Sequence, residues 1–300
     1  MPLTRNLLIH SDPVAVEYVR VSPERAGWER LHFAARRLRA GQRWEHRTDD
    51  AELALVILGG VGRVAWETNR ARGEWASIGR RPNVFSGMPY AVYLPRHTHF
   101  SLEAHTDDFD VAYAWCATDE DHSPALVGPA QVTIEIRGGG NATRQINGIL
   151  NPGFDCQRLV AVEVFTPSGN WSSYPPHKHD EHRVAADGTL LEADLEEIYF
   201  YQIDRPEGYA IQRVYTKDGR LDETLVARHG DLVLVPQGYH PVVSAHGYTT
   251  YYLNFLAGSA QSLANSDDPD YAWIKATWKQ KDARLPIVTL EMETGQGQSL

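Results

Sequence analysis

The chain has 300 residues, 42% of them hydrophobic and 23% charged, an ordinary globular composition that excludes a disordered chain. Lys and Arg number 29 against 39 Asp and Glu. The resulting net charge of −10 argues against nucleic-acid and anionic-membrane partners, both of which want a basic face.

Residues 1–13 hold no apolar core long enough for a leader. Apolar runs such as 53–58 (LALVIL) are of strand length, far short of the ~20 residues of a membrane span. Residues 23–39 read as a helix or a strand pair. Short runs rich in β-branched and aromatic residues then recur at 53–58, 90–94, 131–137, 159–165, 198–203, 210–216, 231–235 and 249–256, separated by Gly, Pro, Asp or Asn. That pattern predicts an all-β fold, a sandwich or barrel. A short helix is expected within 267–281, after Asp268-Pro269. Trp273 and Trp278 are expected to cover the outside of a barrel, and 294–300 reads as a frayed terminus. Two cysteines, Cys116 and Cys156, form no CxxC and no disulfide framework, so a reducing, cytoplasmic setting is expected. No phosphate-cradling glycine motif is present, so neither NAD nor ATP is expected as a cofactor.

Leu94-Pro95-Arg96-His97 echoes Val235-Pro236, which His240 follows. Two similar β-barrels in tandem are the simplest architecture for that echo. The boundary is expected in the glycine-rich stretch 138–153, giving a first domain of 1–145 and a second of 146–300.

The second half carries Pro175-Pro176-His177-Lys178-His179-Asp180. On a strand, His177 and His179 point to one side and Lys178 to the other. Two such imidazoles suit one first-row divalent metal, with Glu196 or Glu197 as a third ligand and His240 as a fourth. An isolated HxH is more often a chance pair of surface histidines; the downstream Glu and His lift it above chance. The first-half pair His97 and His99 lacks an upstream partner set, so the first barrel is expected to be metal-free.

Gly169 to His179, Glu197, Gly230-Asp231, Pro236 and His240 resemble the two signature motifs of cupins. Residues 173–180, 195–201, 212–216, 234–242 and 251–254 look specifically like the 5-deoxy-glucuronate isomerase family of inositol catabolism, which is related to the pectin-pathway uronate ketol-isomerases. The resemblance implies a bicupin, two tandem double-stranded β-helix (jelly-roll) barrels. It further implies one divalent metal ion (Zn, Mn or Fe), a small anionic sugar-acid substrate and an aldose–ketose isomerisation. The oligomeric state stays open, a homo-oligomer included. The family register selects Glu197 as the third ligand, and parity then puts Glu197, Tyr199 and Tyr201 on one face and Glu196 on the other. Residues 180–196 separate the second His from that Glu and are read as an inserted surface loop.

Such a reaction needs a group that carries a proton between adjacent carbons. Tyr199, Tyr201 and Tyr252 are the candidates, beside a metal-bound hydroxide or a carboxylate that is not a ligand; a hydride shift is the other route. The substrate's carboxylate calls for a cation, for which Arg213, next to Gln212 on a strand, is the first candidate. Arg183 and Arg144 stand behind it. Competing functions are an iron dioxygenase on the same donor set, the pectin-pathway isomerase, and a non-catalytic sugar-binding bicupin.

Overall fold

Alternation along strands organises the molecule, seen here in a computed structural model that describes residues 6–294. In the first half, a six-stranded antiparallel sheet runs in the order Ala125–Val127, Ala91–Leu94, Ala51–Gly59, Phe109–Ala117, His32–Leu38, Glu17–Val21. It faces a sheet of Arg43–Arg47, His99–Ala104, Gly62–Glu67 and Arg72–Ile78. The second half repeats the topology. One sheet orders Leu8–Ile9, Leu232–Val235, Leu190–Ile203, Thr250–Gly258, Val160–Thr166, Arg144–Leu150 and Thr133–Arg137. The other orders Trp171–Ser172, Val242–Ser244, Tyr209–Tyr215 and Asp222–Arg228. Two tandem jelly-roll barrels result, as expected. Residues 23–39 resolve into a short helix, Pro23–Ala26, and the strand His32–Leu38, while Ala272–Thr277 forms a 3₁₀ turn in the tail. Trp278 packs on Gly139, whereas Trp273 is largely exposed. The expectation for 294–300 falls almost wholly outside the described residues.

The run 53–58 is apolar throughout because both of its faces are buried. Leu53, Leu55 and Ile57 fill the first barrel with Val64, Phe100 and Leu102. Ala54, Val56 and Leu58 belong to a second cluster that continues into Ile198, Phe200, Leu253 and Phe255 of the other half. The two barrels thus share one core between their large sheets. Arg81 and Glu163 cross it as a buried two-pronged ion pair at 3.2 and 3.0 Å, with Asn147 and Tyr251 also donating to Glu163.

The strand pairing moves the expected boundary at residue 145. Thr133–Arg137 and Arg144–Leu150 hydrogen-bond to each other and into the second sheet. Gly138 to Gly140 is the turn of that hairpin, not a linker; at Gly138, with φ +95°, a Cβ would lie 1.9 Å from the Ala142 carbonyl oxygen. Nor is the N-terminus confined to the first barrel. Leu8–Ile9 pairs with Leu232–Val235, just as Ala125–Val127 pairs with Ala91–Leu94. The segment before each barrel therefore lends an edge strand to the other barrel.

A second exchange follows the same symmetry. Glu52 accepts backbone N–H bonds from Gln157, Arg158 and Leu159 at 2.8 to 2.9 Å. Glu196, at the equivalent place in the second barrel, accepts from Glu29, Arg30 and Leu31 at 2.6 to 3.1 Å. Each carboxylate lies on a central strand and grips the chain entering the opposite barrel. Glu52 is fully buried, so Glu52→Ala strands three backbone donors. It should lower unfolding free energy by about 3–5 kcal/mol, read as a shifted urea midpoint at constant slope. An unchanged midpoint would show that the clasp is replaceable by water.

Candidate metal centre and pocket

Residues 180–196 do not form the expected loop. Asp180–Val184 pairs with the first part of the strand Leu190–Ile203, which is 14 residues long. The insertion is a β-hairpin, so the chain returns to its starting point. Leu195 N donates to the His179 carbonyl at 2.8 Å, and Glu197 arrives beside the His179 ring. Glu192 pins the hairpin base, accepting from Lys178 Nζ at 2.9 Å, the Asp180 amide at 3.1 Å and the Ser266 hydroxyl. Lys178 turns away from the histidines, as the pleat requires. The other carboxylate oxygen of Asp180 accepts the Gly238 amide at 2.8 Å, tying the HxH segment to the turn that presents His240.

His179, Glu197 and His240 offer ligand atoms that all lie within 4.8 Å of one another, and all three are buried. The Nδ1 atoms of His179 and His240 lie 3.1 and 2.9 Å from the carbonyls of Leu195 and Gly238. A carbonyl only accepts, so Nδ1 carries the hydrogen of each neutral ring and Nε2 presents a lone pair. Both lone pairs face Glu197 Oε2, at 2.9 and 3.3 Å. His240 Nε2 is buried and has no hydrogen-bond partner. Two imidazole lone pairs and a carboxylate converging on one another call for a positive charge between them, a proton or an ion, and this donor set fits a divalent ion. Burial disfavours the charged form of His179, but the hydrogen bond and charge of Glu197 outweigh it and raise the ring's pKa. Burial holds His240 down, to about 4, and pushes His177 well below the usual histidine range, with its neighbours His240 and His179 adding to the effect. The His177 ring stands 4.9 Å from that of His240 and 6.4 Å from that of His179, in the pocket wall and outside the tight three-residue group.

His177, His179 and Glu197 line a pocket in the second barrel with about 580 Å³ of atom-free space, open solvent included, and the His240 ring stands behind them, 4.9 Å from that of His177 and 5.0 Å from that of His179. Tyr199 and Tyr252 are in its wall, hydrogen-bonded to Ser173 at 3.0 Å and to Ser172. Tyr201 shares their parity but lies deeper, its hydroxyl donating to Gln212 Oε1 at 2.8 Å. Gln212 is wholly buried beneath Tyr201 and is not in the pocket wall. Arg213 is on the barrel's outside. Its guanidinium forks onto Asp222 at 2.7 and 2.8 Å and lies over the Tyr215 ring. The assignment of Gln212 and Arg213 to substrate is therefore corrected: alternation in Tyr209–Tyr215 sends Ala210, Gln212 and Val214 inward and Arg213 out. Arg183 caps the hairpin, at 3.3 Å from Glu192. The arginines that do line the pocket are Arg137 and Arg144, one on each strand of the hairpin once read as the domain boundary.

In the first barrel Leu53 occupies the place of Glu197. Both stand opposite the residue just before the proline of the echo, Leu94 and Val235 respectively. Apolar side chains fill that interior, and Trp44, Arg36, Glu17 and Tyr113 close its end through contacts such as Arg36 to Glu17 at 2.7 Å. His97, at φ +60°, lies 3.6 Å from Asp50, and His99 lies in an outer groove with Trp66 and Arg72.

The sequence profile of the KduI/IolB family matches residues 7–274. The 5-deoxy-glucuronate isomerase of Geobacillus thermodenitrificans (strain NG80-2) is 42% identical over 276 residues, spanning 91% of this chain and 97% of that protein. Among solved structures, an IolB-like protein from Salmonella typhimurium LT2 superposes with a TM-score of 0.84 at 36% identity, covering 90% of this chain and 99% of its own. Lactobacillus farciminis oxalate decarboxylase superposes at 0.62 with 11% identity, over 87% of this chain and 88% of its own, a likeness of fold alone. No helix among the described residues is long and apolar enough to cross a membrane.

Elemental analysis of purified protein should find one equivalent of divalent metal. That equivalent should fall to near zero in His179→Ala, Glu197→Ala or His240→Ala, and drop in His177→Ala. Glu196→Gln should leave it intact, because that carboxylate faces the other barrel. A second equivalent that vanished in a His97→Ala, His99→Ala double variant would contradict the packed first barrel.

Proposed function

The chain belongs to the KduI/IolB family, and on that premise we propose that this isomerase interconverts 5-deoxy-glucuronate and 2-deoxy-5-keto-gluconate in inositol catabolism. The supporting observation is the meeting of a cation-seeking donor set with two buried phenols at one pocket. His177, His179, Glu197 and His240 would hold one divalent ion. Bound there, it supplies Lewis acidity toward a carbonyl oxygen, an effect worth several kcal/mol as charge develops.

The reaction takes a hydrogen from a hydroxyl-bearing carbon and returns one to the neighbouring carbonyl carbon. The hydroxyl proton passes to the carbonyl oxygen. Nothing is oxidised or reduced overall, so no nicotinamide, ATP or dioxygen enters the balance. Tyr199 and Tyr252 are the proton carriers at hand. Burial pushes both phenols above their ordinary range, and the charge of Glu197 adds to the rise at Tyr199. At Tyr252 the hydroxyls of Ser172 and Ser173 and the charge of Arg144 oppose burial, and at Tyr199 the hydroxyl of Ser173 does. Ser172, hydrogen-bonded to Tyr252, holds the phenol oxygen in place. Tyr201 is committed to Gln212 and serves as floor. Arg137, Arg144, Asn254 and Asn265 bring cations and amides into a wall that also holds Ile146, Val162, Val164, Leu256 and Leu263, and those polar groups suit a polyol acid.

The test is NMR of the sugar acid in deuterated water with metal-loaded protein. Turnover should proceed without added cofactor or oxygen, stop on chelation and return with metal. Tyr252→Phe should lower kcat by about 100-fold or more with metal content unchanged, the usual scale for losing a positioned proton carrier. Tyr201→Phe should cost far less. Arg213→Ala should leave KM within about two-fold, since an exposed ion pair contributes little. Turnover that survives complete chelation, or that needs dioxygen, would overturn the reading.

A further inference from the structure

Arg144 opens the strand Arg144–Leu150 and is 5% exposed, with its side chain in the wall of the pocket that holds His177, His179, Glu197, Tyr199 and Tyr252. Its Nη1 donates to two backbone carbonyls, Ala142 at 3.3 Å and Tyr174 at 3.1 Å. Both acceptors are neutral. Among the described residues no carboxylate forms an ion pair with Arg144. The other deeply buried arginine among the described residues is treated differently: Arg81 meets Glu163 with both prongs. Arg137, across the hairpin at Cα register, also lines the pocket but is already neutralised by Glu135 through two bonds of 2.7 Å. Burial pulls the Arg144 pKa down to about 10; Tyr252 and the charge of Glu135 oppose the pull, and the charge of Arg137 adds to it. Arg144 nevertheless remains protonated at neutral pH.

A buried guanidinium without a counterion is costly, and folding would ordinarily replace or pair it. This one borders the empty space of the pocket, where a ligand can supply the missing charge. A planar fork of N–H donors matches a carboxylate. We propose that Arg144 is the carboxylate anchor of the site: it binds the acid group of the sugar-acid substrate and so sets which end of the molecule meets the His177, His179 and Glu197 wall. The identity of the acid rests on the isomerase reading above; the anion-binding role does not. A neutral aldose of the same length leaves the buried cation unpaired and is rejected. Arg144 is thus a specificity and positioning residue, with Tyr252 beside it as the neighbouring proton carrier.

The experiment uses metal-loaded protein, with D-gluconate as a non-isomerising acid probe and D-sorbitol as its neutral counterpart. Calorimetry should find gluconate bound by the wild type and weakened about 10- to 100-fold in Arg144→Gln, the loss expected for a charge-assisted bond. Sorbitol binding should change little. Metal content should stay at one equivalent. In turnover, KM for the sugar acid should rise by the same factor, with a smaller effect on kcat. Arg144→Lys, which keeps the charge but loses the fork, should fall between.

A purely structural role predicts the opposite pattern. Removal of an uncompensated buried cation should leave the melting temperature unchanged or raised, while a structural strut would lower it in both variants. Gluconate affinity unaltered in Arg144→Gln overturns the proposal. So does a lowered melting temperature in both variants with acid-over-neutral discrimination retained by Arg144→Lys at wild-type strength. Gluconate binding that depends on Arg144 in a protein unable to isomerise the sugar acid would refute the isomerase reading and leave the anchor standing. Isomerase turnover with an unchanged KM in Arg144→Gln would do the reverse.

Discussion

Residues 196 and 197 are both glutamate, and the pleat of the strand Leu190–Ile203 sends them in opposite directions. Glu197 points into the second barrel and joins His179 and His240. Glu196 points to the first barrel and accepts the amides of residues 29–31. One strand therefore serves the site on one face and the barrel–barrel joint on the other. A one-residue slip in its register would exchange the two carboxylates, emptying the donor set and burying an extra charge in the joint. The pairing of Glu197 with Val235 and Leu256 holds that register.

The two barrels of this bicupin share a topology and differ in what fills them. Leu53, Leu55 and Ile57 in the first barrel correspond to Glu197, Tyr199 and Tyr201 in the second. An apolar filling packs to high density and leaves no room for a ligand. The second barrel keeps a pocket whose lining mixes charged and hydroxyl groups with aliphatic side chains, and the charged ones are expensive to bury. The shared core between the large sheets, with the Phe33 ring against both Phe200 and Phe255, gives that barrel a dense apolar layer on its other side. The exchanged edge strands and the glutamate clasps make the two barrels depend on each other rather than sit side by side.

The hairpin at 180–196 shows how a long insertion can tighten a site. Two paired strands return the chain to its own origin, so His179 and Glu197 become neighbours through backbone bonds rather than by sequence proximity. Glu192 gathers Lys178, Ser266 and the Asp180 amide at its base, and Asp180 holds the turn before His240. The donor set is thereby held from both sides by charged residues that never face it.

Much of this was legible without coordinates. Most strands and turns follow from patterns a few residues long, and the motif residues His177, His179, Glu197 and His240 carry the resemblance, whose register chooses Glu197 over Glu196. Local pattern reaches no further than the strand it lies on. It places Gln212 and Arg213 on opposite faces but does not say which face is inside, and the barrel closure sends Arg213 to solvent. It reads three glycines as a linker, where hydrogen bonding between 133–137 and 144–150 makes them a hairpin turn and brings Arg144 into the pocket wall. It has no means of seeing that Leu8–Ile9 would join a sheet more than two hundred residues away in the chain. Sequence by itself determined most of the strands and which residues share a face, because both depend on alternation, and the family resemblance named the candidate donor set. Only the tertiary structure decided which cation meets the pocket, where the barrels divide and what they exchange, because those depend on which strands pair across the whole chain.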